Sequence, residues 1–332
     1  MDASCAPADI RFPTDISLLN EAREKTEAII DILHEPLKGK EPKVRTYRQQ
    51  ARKEYLSIVK KRKLSKNRLR KGLRKQLSYV RRNLSHIKKL AEKPSLSALS
   101  KKQYRDVLVI SELYRQQQLM YDQESHQMPG RIVSIGQPHV RPIVRGKAGT
   151  PVEFGAKFSV SVVDGYVFLD RLSWENYHEA HDLVDHIERY RKRFGYCPES
   201  VHVDKTYRNR DNLRYCKSLG IRISGPALGR PPKNAELSKQ QKRQIREDEA
   251  ARIPVEGKFG NGKRRYGLDR IMAKRDDTSE TVIGLIVLVM NLEKVDRDLL
   301  FVLFRRREFV GHTNSVRPEM MKLQPKLSQK AA

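Results

Sequence analysis

PVEFGAKFSVSVVDGYVFLDRLSW, residues 151–174, is where the sequence changes period. Upstream, apolar residues return every three or four positions. Within this stretch they alternate, and β-branched and aromatic residues dominate. Asp164-Gly165 interrupts the run with a pair suited to the positive backbone angles of a tight hairpin turn. Two antiparallel strands are predicted, 151–163 and 166–174. Beyond them, ENYHEAHDLVDHIERYRKRFG (175–195) is an amphipathic helix stopped by Gly195. SVHVD (200–204) is a short strand, RNRDNLRYCKSLG (208–220) a helix and IRISG (221–225) another strand. A meander that gives way to alternating strands and helices predicts an α/β fold with a mixed sheet flanked by helices. RIVSI (131–135) also reads as a short strand, and Trp174 is expected to pack the sheet against the helix that follows it.

Upstream the pattern is helical. Asp15 follows Pro13-Thr14 and can cap a helix over 15–34, whose Leu18, Leu19, Ala22, Thr26, Ile29, Ile30 and Leu33 share one face. Two basic helices follow, about 45–63 and 66–92, and a fourth spans about 101–124. Residues 51–90 carry 16 Lys and Arg against one acid, Glu54. Leu69, Leu73, Leu77, Val80, Leu84 and Ile87 persist at helical spacing beneath that charge, so the segment is amphipathic rather than a disordered tail.

The whole chain of 332 residues has a net charge of +28, which favours a polyanionic partner. The longest apolar run, VIGLIVLVMNL (282–292), falls short of the ~20 residues that cross a bilayer, so no membrane partner is expected. Cys5, Cys197 and Cys216 have no metal-binding spacing and cannot all pair, which fits a reducing interior. From 278 to 304 a largely buried helix is predicted, and 253–273 reads as a helix with a Gly-rich middle.

Three stretches bear on chemistry. In VHVDKTYRNRDN, Asp204 closes a predicted strand, where catalytic groups gather in open sheets, although capping the next turn is an equally ordinary task for it. In ARIPVEGKFGNGKRRYGL, Arg252, Glu256 and Lys263 fall on one face of a helix, where simple surface ion pairing is the plainer reading. Gly257 to Lys263 imitates the start of a phosphate-binding loop, but Arg264 stands where Ser or Thr would hold magnesium, and Pro254 removes the preceding strand. The third stretch is the opening, MDASCAPADIRFPTDISLL.

Together these resemble the three acid motifs of insertion-sequence DDE transposases. The opening is similar to the first-aspartate motif, VHVDKTY to the second, and Arg252, Glu256 and Lys263 to the Arg-Glu-Lys signature around the third acid. The signature's usual tyrosine, three places before the arginine, is Glu249 here. The resemblance implies an RNase H-like fold with Asp2, Asp204 and Glu256 as catalytic and metal-holding carboxylates. Arg252, Lys263 and Arg264 would bind DNA phosphates. It implies two Mg²⁺ or Mn²⁺ ions, since clustered carboxylates repel until a hard cation joins them and paired ions ~3.5–4 Å apart serve an in-line displacement. Water would cut at the element end and the freed 3′-OH would attack target DNA. The implied partners are double-stranded DNA, as element ends and target, and a second copy in a homodimer, acting on DNA in a prokaryotic cytoplasm.

On this reading residues 15–128 are a basic helical insertion after the first strand. Lys60, Lys61, Arg62, Lys63, Lys66, Arg68, Arg70, Lys71, Arg74 and Lys75 would lie along DNA. Residues 129–226 are the core, 227–251 a charged linker, 252–308 the C-terminal catalytic helices and 309–332 a basic tail. Residues 1–14 would be a remnant of the first strand and its loop, because only Met1 precedes Asp2. A chain truncated there is expected to fold poorly or lack activity by itself. The rival reading is a non-catalytic basic DNA-binding protein derived from a transposase. Among other candidates, Asp164 is explained by the turn, Asp170 sits inside a strand, and Asp9 and Asp15 read as loop and cap. His178, His181 and His186 lie on one helix, where His178 and His181 could share a face but lack a Cys or third ligand for a metal, and Gly229-Arg230-Pro231 is a weak minor-groove signal.

Overall fold

The computed structural model describes residues 1–92, 98–144, 151–225, 228 and 238–311, with side chains up to residue 303. The Gly229-Arg230-Pro231 motif and most of the basic tail lie outside these residues.

The sheet is built around one long strand. Strand β1 (Asp2–Pro7), β2 (Arg141–Val144), β3 (Val152–Val163) and β4 (Tyr166–Ser173) form an antiparallel set in which β3 pairs with all the others. Residues 157–160 of β3 pair with β1 and with β4, so these flank it on opposite sides. Gly155 pairs with both Pro7 and Arg141, which puts β2 on the β4 side. Gly155 is required by this geometry, because a Cβ there would stand 2.1 Å from the Ala6 carbonyl oxygen. The hairpin turn forms as expected, with φ of 51° at Asp164 and 82° at Gly165. A second, parallel pair joins β5 (Ser200–Val201) to β6 (Arg222–Ile223). One main-chain bond links the two sheets, from the Met1 amino group to the His202 carbonyl, 2.9 Å.

The alternation of β3 divides the core. Ala156, Phe158 and Val160 face a buried apolar cluster with Val255, Ile283, Val287 and Met290 from two helices, α7 (Lys239–Arg265) and α8 (Asp276–Gly311). Lys157, Ser159 and Ser161 face the other way and are also buried. They lie beneath a 3-10 turn (Glu179–Asp182) and α5 (Leu183–Phe194). Buried polar atoms need partners. Lys157 donates to the Tyr177 carbonyl and pairs with Glu179, both at 2.7 Å, and Ser159 donates to Asp182 at 3.0 Å. Leu183 and Ile187 pack with Val201, Tyr207 and Cys216, the last from α6 (Arg210–Ser218).

The helical unit comprises α1 (Asp15–His34), α2 (Arg48–Val59), α3 (Lys66–Ala91) and α4 (Lys101–Asp122). Leu18, Leu19 and Ala22 of α1 meet Leu77 and Val80 of α3 and Ile110 and Leu113 of α4. Arg23 is buried within it, held by Glu27 at 2.7 and 2.8 Å and by Asn20 at 2.8 Å.

Several expectations need correction. The α1 cap is Thr14, in a reciprocal capping box with Ser17, and Asp15 instead accepts from Arg131 and Gln117. Residues 131–135 form no strand, and the strand of that region is β2, whose pattern is hidden by Pro142. The helix expected over 175–195 is a 3-10 turn followed by α5. The segment 227–251, expected as a linker, enters α7 from Lys239, and the glycines at 257, 260 and 262 lie inside that helix rather than in a turn. Pro254 is tolerated because it and Ala250, whose carbonyl loses its helical donor, are exposed to water. Trp174 packs toward α8, donating to Glu280 at 2.8 Å, and not onto the helix that follows it.

Candidate active site

Asp2, Asp204 and Glu256 come from three elements, and one arginine joins the last two. Asp2 opens β1 opposite Val160 of β3, on the alternation that carries Ala6 into the cluster with α7 and α8. Asp204 lies just after β5 and caps the 3-10 turn Lys205–Tyr207, accepting from the Lys205 N–H at 2.6 Å. The capping task foreseen for Asp204 is thus present, and it also holds the carboxylate at the strand end. Glu256 projects from α7.

Arg252, one turn before Glu256, is the joint between the last two. Its guanidinium lies 3.9 Å from Asp204 and 3.4 Å from Glu256, acids 52 positions apart in sequence. Lys263, on the same face of α7, reaches Glu153 of β3 at 3.8 Å. Arg264 is exposed and donates to the Gly260 carbonyl within the helix. Its guanidinium lies over Gly260, with Nη2 3.4 Å from where a Cβ would stand.

Burial raises the Asp2 carboxyl above the usual carboxylate range; the Ala3 N–H opposes this, and the Glu179 and Asp204 charges add to it. Asp204 is thus near enough for its charge to act on Asp2. Tyr207, three residues after Asp204, is fully buried and its hydroxyl makes no hydrogen bond. Burial pushes its pKa up, helped by the charges of Asp2, Glu179 and Asp182. Glu179 and Tyr207 were not anticipated as neighbours of the site. Glu179 sits between His178 and His181, in a stretch read as a plain amphipathic helix.

The donor set suits a hard divalent cation, being carboxylate oxygens with one raised carboxyl among them. Among the described residues, no group of three or more His, Cys, Asp or Glu is drawn close enough to hold an ion, and Glu256 leans toward Arg252. The histidines also form no such site. The rings of His178 and His181 lie 5.5 Å apart, and His186 is buried against Asp170.

The basic helices present their charge outward. Lys60, Lys61, Arg62, Lys63, Lys66, Arg68, Lys71, Arg74 and Lys75 are exposed, while Arg70 is half-buried. Two of these are engaged within the protein, Lys75 with Glu54 at 2.7 Å and Arg70 with Glu124 at 3.2 Å. Arg45 and Arg82 stack on Tyr47 at 4.4 and 4.5 Å, which extends the cationic surface to the turn before α2.

No curated protein and no solved structure matches the chain. Residues 201–293 match the family model described as the transposase DDE domain. The matched segment contains Asp204, Arg252, Glu256, Lys263 and Arg264, and Asp2 lies outside it. No helix among the described residues is long and apolar enough to cross a membrane. The matched segment covers less than a third of the chain and supports a DDE-type transposase.

Proposed function

We propose that this chain is the DNA transposase of an insertion sequence, cutting and joining DNA strands with Asp2, Asp204 and Glu256 as its acids. The observation that supports this best is Arg252, which brings the family segment's two acids to one cation. The fold reading is RNase H-like, with β4, β3 and β1 on one side of the Met1–His202 bond and β5 and β6 on the other.

In this reading the chain's residues act as follows. Asp2, with its raised carboxyl, and Asp204 accept the positive charge that permits both to ionise together. Glu256 completes the oxygen set when Arg252 turns from it to a DNA phosphate. Lys263 and Arg264, about two turns beyond Glu256 along α7, bind phosphates beside the cut. The exposed bases of α2, α3 and the loop between them track the flanking duplex. Magnesium, or manganese, supplies charge neutralisation and a more acidic water when bound by the three carboxylates. A homodimer on DNA would bring two element ends to one target.

The test is Asp204→Ala in the full chain, with DNA carrying the element's own ends and Mg²⁺. Strand cleavage and transfer should be lost while DNA binding is kept. The rival, a basic DNA-binding protein without catalysis, predicts no cleavage by the parent chain. It also predicts that only changes among residues 60–75 alter its behaviour.

A further inference from the structure

Helix α8 is anchored by one face and leaves another apolar face outside. Ile283, Ile286, Val287 and Met290 are buried against the sheet. Asn291 fixes the rotation, accepting from the Val167 N–H and donating to its carbonyl, both at 2.8 Å. With that face committed, Leu285, Leu288, Leu292, Val295, Leu299 and Val302 point away from the core, with relative exposures of 52, 50, 56, 40, 59 and 51%. The sequence expectation of a largely buried helix fails on this side. These six residues recur in steps of three and four, the spacing of a coiled-coil seam. A monomeric protein rarely leaves such a continuous stripe uncovered.

We infer that this seam pairs with the same seam of a second copy, as an antiparallel two-helix contact. Three observations select that occupant. The seam is self-complementary: in one antiparallel register Leu285 meets Val302, Leu288 meets Leu299 and Leu292 meets Val295, and two-fold symmetry repeats every pair. The composition disfavours a parallel pair, since Leu occupies every first core position and Val two of the second, opposite to the preference of parallel dimers. The local charge also permits self-contact. Residues 285–303 hold Glu293, Asp296 and Asp298 against Lys294 and Arg297, in a chain otherwise strongly cationic. In the proposed register no like charges oppose across the seam, and Asp298 is already tied to Lys294 at 2.5 Å. A nucleic acid would find no cationic stripe here. The contact spans 17 residue steps, about 26 Å at ~1.5 Å per residue. The inference concerns which surface joins two copies and uses none of the strand-transfer chemistry. Its failure would leave the transposase reading standing, and loss of cleavage would leave the seam standing.

The test uses the full chain, nuclease-treated, in ~0.5 M salt, which screens bridging by residual DNA but not apolar contact. Light scattering and sedimentation should show a dimer. Leu292→Glu with Leu299→Glu should raise its dissociation constant at least tenfold while circular dichroism stays unchanged. Leu285→Cys chains mixed with Val302→Cys chains should form a mixed disulfide, and either variant alone should not cross-link to itself. A monomeric parent chain would overturn the inference, as would a dimer unaffected by the glutamates. Self-cross-linking of Leu285→Cys would overturn the antiparallel register.

Discussion

Replacing Asp170 with Asn removes the negative charge from the most enclosed ion cluster in the sheet unit. The Asp170 side chain has 0% exposure, and its carboxylate accepts from Arg193 at 2.6 Å and lies 3.2 Å from His186 Nδ1. Burial alone would raise its pKa, but His186, Ser161 and Arg193 outweigh that and hold it below the usual carboxylate range. Removing one partner of a buried pair costs on the order of 3–5 kcal/mol. Arg193 keeps 27% exposure and can recover some water, which places the expected loss near the lower figure, about 3 kcal/mol. The sign with pH follows from the depressed folded value. An aspartate of this kind contributes stability that is present above its unfolded pKa of ~3.9 and is lost as pH falls through the folded value. Urea unfolding of parent and Asp170→Asn chains, at pH 7 and then in steps below pH ~4, measures both parts. The gap should be largest at neutral pH and shrink on acidification. A gap under ~1 kcal/mol at pH 7, or one that does not change with pH, would refute the reasoning.

Other outcomes follow from the same geometry. Gly155→Val should displace β1 and unfold the chain at lower urea concentration, because its Cβ would meet the Ala6 carbonyl 2.1 Å away; an unchanged midpoint would contradict this. Arg23→Met should destabilise the helical unit by about 3 kcal/mol or more in thermal or urea unfolding, since Glu27 would be left buried without its cation. Charge reversal at Lys60, Lys61, Arg62 and Lys63 should weaken DNA binding and flatten its dependence on salt by about 0.9 in log–log slope for each DNA phosphate that is no longer neutralised. Equal slopes before and after would remove these residues from the DNA surface.

Much of the architecture was legible in local pattern. The hairpin at Asp164-Gly165, the long α3 with its apolar stripe, and the Gly195 stop each rest on interactions within a few residues. Motif order singles out Asp204, Arg252, Glu256 and Lys263 as candidates, and all four lie in the matched segment. What brings them together was not legible. That Arg252 and Lys263 share one helix depends on α7 running unbroken through Pro254 and three glycines, residues that locally signal an end. The burial of Lys157, Ser159 and Ser161 cannot be read from the strand pattern, because alternation shows which residues share a side but not what covers it. For the same reason the apolar pattern over 278–304 suggests a largely buried helix. The packing of Ile283, Val287 and Met290 and the lock between Asn291 and Val167 show which side of α8 faces out.

The central claim is that Asp2, Asp204 and Glu256 form one cation site. Titration of the full chain with Mn²⁺, followed by calorimetry or electron paramagnetic resonance, tests this without needing the DNA sequence recognised. The account predicts saturable binding that weakens at least tenfold in each of Asp2→Asn, Asp204→Asn and Glu256→Gln. Saturable binding unchanged in all three, or no binding by the parent chain, would contradict it.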